Sequence, residues 1–120
     1  MKSVLTHYCV VRDDLPRGVL AAQLIHAAGE SGAGQPGLYA VALAVRDESE
    51  LLRVEDRLRF HDIPHRAIRE PDAPWCGQLM AIGVVPMARD ERSLRRVLQR
   101  PQGGRHLGSP GLVDAQIEVH

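Results

Sequence analysis

Residues 8–31 read YCVVRDDLPRGVLAAQLIHAAGES, from Tyr8 to Ser31, and this stretch decides the fold. An apolar, β-rich run (Val4 to Val11) ends at Arg12-Asp13-Asp14, and a helix follows at once. Pro16 suits the first turn of that helix, where its missing N–H would have no helical partner. Val19, Leu20, Ala21, Ala22, Leu24, Ile25, Ala27 and Ala28 make the helix apolar nearly all round, so most of it is expected to be buried. Its polar residues Gln23, His26 and Glu30 recur at spacings of three and four and share one stripe with Val19. A polar stripe on a buried helix needs partners, solvent or a ligand. Strand ends that feed helix starts are where ligands sit in α/β proteins, so this junction is the candidate site.

Outward from there, Gly29 and the run Ser31 to Gly37 stop the helix, and Leu38 to Val45 (LYAVALAV) reads as a second buried strand. A strand–helix–strand run of this length implies a parallel crossover. Asp47 or Ser49 caps the next helix, with Glu50 three residues after Asp47 as in a capping box. Leu51, Val54 and Leu58 form its inward stripe. Asp62-Ile63-Pro64 ends it, His65 to Arg69 is a short strand, and Glu70 to Pro74 is an acidic, Pro-rich loop. Gln78 to Val85 is the fourth strand, and Asp90 caps a third helix inward-facing at Leu94, Val97 and Leu98. The order βαβαββα predicts an α/β fold, a mixed four-stranded sheet flanked by helices in two or three layers. Residues 1–100 form that domain, and 101–120 are a Gly/Pro-rich extension. Leu112 to His120 alternates as an extra strand or as a tail pairing with another subunit.

With 120 residues, 44% of them hydrophobic, the chain supports one core. Fifteen Lys+Arg balance fifteen Asp+Glu, so any nucleic-acid contact is expected to be local rather than a long footprint. Lys2 is the only lysine. Two cysteines, Cys9 and Cys76, without a signal peptide or membrane span, point to a reducing cytoplasm. His61, His65 and Cys76 are a poor zinc set, because Pro64 breaks the helical spacing and no CxxC is present. His7 and Cys9 share a strand face, yet nothing nearby in sequence orients them as a nucleophile pair.

VVRDDL, a short Gly-containing turn and AAQLIHAA together resemble the opening of the type II peptidyl-tRNA hydrolase family. A second block, HDIPHRAIREPDAPWCGQLMAIGVVP, is similar to the family's aspartate loop and its following strand. The resemblance runs from about Tyr8 to Leu98. It implies a hydrolase that cleaves the ester between a peptide and tRNA, without cofactor or metal, with the tRNA 3′ end as partner; related proteins are often homodimers. It implies Asp72, Gln23 and His26 as catalytic groups, with Asp72 orienting water, Gln23 donating to the carbonyl, and His26 doing either. Arg12, Asp14, Arg17, Gly18, Trp75 and Gln78 are then substrate-binding, the two arginines meeting phosphate.

Each residue also has a plainer reading. Asp72 closes an Asx turn, Gln23 is a buried amide satisfied by backbone, and His26 packs under the sheet. Arg12 pairs with Asp13, Asp14 or Glu70, and Trp75 is a stacking platform, an interface anchor or a lid over the sheet's end. Two positions depart from the family pattern: Val19 stands where a lysine is usual, and Met80 where threonine is common. They support an alternative, a catalytically degenerate member acting as an RNA- or protein-binding or regulatory module.

Overall fold

The computed structural model describes residues 5–32, 37–88, 96–98 and 113–115. The elements are β1 (Thr6–Arg12), α1 (Arg17–Ser31), β2 (Tyr39–Val45), α2 (Glu48–Phe60), β3 (His65–Glu70), β4 (Gln78–Val84) and β5 (Val113–Ala115). The strands form one sheet in the order β3-β4-β1-β2-β5. β1 and β2 are parallel, as the strand–helix–strand run predicts, and the other pairings are antiparallel. The fold is thus α/β, a mixed sheet flanked by helices. β5 adds to the outer edge of β2 within the same chain. The cap expected at Asp90 and most of the helix beyond it lie outside the described residues, as do residues 101–112. Residues 96–98 are helical, and Leu98 is fully buried.

Every residue of the central β1 is buried, because a helix covers each face. Successive side chains alternate between the two faces. Tyr8 and Val10 join Val41, Leu43, Val45, Leu79 and Ile82 in packing on Leu51, Val54 and Leu58 of α2. Cys9 and Val11 join Ala44, Met80, Ala81 and Ile68 under α1. Asp47 takes the cap of α2, its side chain accepting the Glu50 N–H at 3.0 Å. The capping box is displaced by one residue: the Glu50 carboxylate accepts the N–H of Arg46 (2.8 Å), not of Asp47, and also holds the Arg46 guanidinium.

The burial of α1 corrects the sequence expectation. Among its residues only Gln23, Ala27 and Ser31 are buried, and Ile25 is 72% exposed. Apolar and small residues surround this helix on all sides, so composition does not mark the inward face. The sheet does. Gly83 of β4 lies directly beneath α1, and a Cβ there would fall under 3.0 Å from the Ala27 carbonyl oxygen and the Ser31 side chain. This close approach seats the stripe of Gln23, Ala27 and Ser31. The helix ends at Gly32, whose φ of 129° is open to glycine and whose N–H reaches the Ala28 carbonyl.

β4 carries an irregularity that matters for the site. Ile68 pairs with Ala81 and Arg69 with Leu79, so Met80 has no partner on β3. Met80 and Ala81 consequently both face α1, while Leu79 and Ile82 face α2. Among the described residues no helix is long and apolar enough to cross a membrane.

Candidate functional site at the β1, β3 and β4 edge

β1 ends at Arg12, β3 ends at Glu70 and the antiparallel β4 begins at Gln78, so three strand termini meet at one edge. Arg12 is buried, and its guanidinium is taken up by protein partners. Nε and Nη2 form a fork on the Asp14 carboxylate at 2.7 and 2.8 Å. Nη1 donates to Gln78 Oε1 (2.8 Å) and to the Leu79 carbonyl (3.3 Å). The half-buried Trp75 ring lies 5.5 Å from the guanidinium carbon, within cation–π range. The hydrogen bonds from Arg12 hold the Asp14 carboxyl below its ordinary range, and Asp14 in turn holds Arg12 charged. The register shift at Met80 explains part of this arrangement. With the regular ladder interrupted, the Leu79 carbonyl goes to Arg12, and its N–H goes to Glu48 Oε2 at 2.9 Å.

On the α1 side of the same edge, Gln23 is 5% exposed, and its Nε2 donates to Glu70 Oε1 at 3.4 Å, the long end of a hydrogen bond. Glu70 Oε2 accepts the Asp72 N–H at 3.2 Å. One carboxylate therefore joins the α1 amide to the acidic loop. The loop is tied down by its own backbone: the Asp72 carbonyl accepts from Trp75 and Cys76 (both 3.0 Å), and Gly77 donates to the Glu70 carbonyl at 2.6 Å. Asp72 itself is exposed.

Gln23 Oε1 is buried, and among the described residues no donor reaches it. An unpaired buried acceptor costs about 1–3 kcal/mol. Turning the amide over does not relieve it, because the oxygen would then face the Glu70 carboxylate.

The remaining residues singled out from sequence lie around this edge or away from it. Arg17 and Gly18 are exposed in the first turn of α1, and Val19 is half-buried against the α1-side core. His26 is exposed, not packed under the sheet. Met80, where a hydroxyl residue would resemble the family, is fully buried. His65 Nδ1 donates to the Ile63 carbonyl (2.8 Å), and its other nitrogen is 3.9 Å from Glu55. Among the described residues no three His, Cys, Asp or Glu side chains gather as a metal-ligand set.

His7 and Cys9 do find a third group, and it comes from α1. Ser31 Oγ lies 2.7 Å from His7 Nε2 and donates to the Ala27 carbonyl at 2.6 Å. With its proton directed to Ala27, Ser31 accepts from His7, which fixes the Nε2–H tautomer. Cys9 Sγ is 4.0 Å from that nitrogen. Burial pushes the Cys9 thiol up to about 11, so at neutral pH it is a packed thiol, not a nucleophile.

Sequence reasoning missed Glu70 as a site residue. A carboxylate on the last strand position before Pro71, opposite Gln78, was the available signal. It also missed Ser31, 24 residues from the histidine it meets.

No protein-family model matches this chain, and no curated protein matches its sequence. Among solved structures, it is similar to a protein of unknown function from Agrobacterium tumefaciens strain C58. That likeness has a TM-score of 0.50 and 16% sequence identity, covering 86% of this chain and 96% of the other. At that identity it is a likeness of fold.

Proposed function

We propose that this protein is an ester hydrolase acting on acylated tRNA, similar to the type II peptidyl-tRNA hydrolases that its sequence resembles. The observation that carries this reading is the Glu70 carboxylate, which ties the buried Gln23 amide and the Asp72 loop to one edge of the sheet. Asp72, exposed to solvent, takes a proton from water as the water oxygen bonds to the acyl carbon. The second Nε2 hydrogen of Gln23 supports the oxyanion that develops. The bond from the acyl carbon to the ribose oxygen then breaks, and that oxygen receives the proton from Asp72. Arg12 acts here as a strut for the Trp75 loop, since its donors are engaged by Asp14, Gln78 and Leu79.

That engagement of Arg12, together with Val19 and Met80, also favours a second reading, a binding or regulatory module without turnover. Purified protein assayed on aminoacyl-tRNA and N-acetyl-aminoacyl-tRNA separates the two. Under the hydrolase reading, Asp72→Asn and Gln23→Ala each slow ester cleavage by about a hundredfold or more while remaining folded. Equal rates in wild type and both variants reject this site. Salt-sensitive tRNA binding without cleavage leaves the second reading.

A further inference from the structure

We infer that the outer edge of β3 is an interface with a second copy of this chain, in which the two β3 strands pair antiparallel about Ile68 and the partner's Arg66 reaches the Glu70 carboxylate. The inference goes beyond the hydrolase reading and does not rest on it.

The two edges of the sheet are finished differently. The outer edge of β2 is taken by β5 of the same chain, whereas among the described residues no strand pairs with the outer side of β3. The Pro64 carbonyl accepts the Val85 N–H at 3.0 Å, and Arg66 and Ile68 stand opposite Gly83 and Ala81. Backbone groups alternate along an antiparallel ladder, so those of His65, Ala67 and Arg69 point away from β4. An edge of this kind is a template for another strand.

The side chains select which strand. Glu70 accepts from Gln23 of α1 and Ile68 packs under α1, so Arg66, Ile68 and Glu70 share the α1 face of the strand. Arg69, which meets Glu55 of α2, lies on the other face. Along the α1 face the edge therefore reads cation, apolar, anion. Arg66 is exposed, and among the described residues it has no ion pair. Glu70 has no cation either, its oxygens accepting only the Gln23 amide and the Asp72 N–H.

A two-fold axis at Ile68 sets Arg66 of each copy against Glu70 of the other, with Ile68 beside Ile68, and makes Ala67 and Arg69 a hydrogen-bonded pair. Other registers that match the outward backbone groups do worse. An axis at Ala67 sets Arg66 against Ile68 and Glu70 against Pro64. An axis at Arg66 or at Arg69 sets an arginine against itself. Pro71 has no N–H, so the ladder closes there. On the α2 face the small Ala67 lies opposite the long Arg69 and leaves it room. On the α1 face the helix makes its close approach at Gly83 of β4, one strand in from the edge. The Glu70 oxygens each keep a second lone pair for the guanidinium. Each copy thus supplies a cation at the flank of the other's candidate site.

The test is the mass of the full chain in solution by sedimentation equilibrium, with a dimer expected for the wild type. Arg66→Glu and Glu70→Arg each place like charges in both cross-strand pairs and are expected to weaken self-association by about tenfold or more. An equimolar mixture of the two is expected to dimerise again, because every glutamate then meets an arginine. Ala67→Pro removes an N–H that the pairing with β4 does not use, so it is expected to leave the monomer folded and abolish the dimer; it carries the test if Glu70→Arg fails to fold. A wild type that stays monomeric, a dimer unchanged by Arg66→Glu and Ala67→Pro, or a mixture of the two folded charge variants that stays monomeric overturns the inference, the first of these leaving the edge to a different protein.

Discussion

On the α2 side of the sheet, Tyr8, Val10, Leu43, Leu79 and Ile82 meet Leu51, Val54 and Leu58, large side chains with almost no exposure. On the α1 side, Val11, Ile68 and Met80 share the space beneath the helix with the small residues Cys9, Ala44, Ala81 and Gly83, and His7, Gln23 and Ser31 are buried among them. The first interface is a dry hydrocarbon layer, whose stability follows the apolar area it removes from water. The second is a close approach of backbone to backbone, with polar groups filling the remaining space. The driest packing and the His7–Ser31 pair thus lie on opposite faces of one sheet. Polar burial is tolerated where small residues bring α1 near enough to supply partners, as Ser31 does for His7. At Gln23 Oε1 none of the described residues supplies such a partner, and the candidate site adjoins it.

Three experiments test this contrast. Leu58→Ala, on the hydrocarbon side, should cost the most, about 2–5 kcal/mol of unfolding free energy by denaturant titration. A loss below ~1 kcal/mol would mean that the α2 face is not the stabilising one. Gly83→Ala tests the other face by adding one methyl where backbone stands in the way. It should cost about 1–3 kcal/mol and shift the amide resonances of α1, whereas a neutral result would refute the close approach. The smallest effect is a pH dependence. Burial holds the His7 imidazole below its ordinary value of 6.5. Above that pH the residue is neutral in both folded and unfolded chains and adds no slope. As pH falls below it, the unfolded chain takes up the proton first, so stability declines toward the lower folded value. His7→Gln should lose this acid-side decline, and an identical pH profile in the variant would mean that His7 is not its source.

The strand–helix–strand frame was legible in the sequence because β1 and β2 are continuous apolar runs, and Asp47 announced its helix by being a capping residue ahead of an amphipathic stretch. The inward face of α1 was not legible. Alanine and glycine surround its axis, and which of them is buried depends on Gly83, more than fifty residues away. Arg12 meeting Asp14 was among the open readings of that residue, and a local pair two residues apart is the kind that sequence displays. The Ser31–His7 contact and the role of Glu70 were hidden because each requires the helix to be laid on the sheet first. Glu70 stands next to a proline in an acidic loop, and the loop drew attention to Asp72 instead.

The unpaired residue in β4 has a consequence for how this chain tolerates length changes. Leu79 and Ile82 point to one side and Met80 and Ala81 to the other, so the strand is two half-strands spliced out of phase. Excising Met80 would restore simple alternation and leave every side chain upstream of the splice on its present side. Leu79 would still face the hydrocarbon of α2 and Ala81 would still face α1, so the splice absorbs the loss of one residue. A deletion at Ile82, by contrast, is the larger edit, because it exchanges the two sides of the sheet for the residues upstream of it.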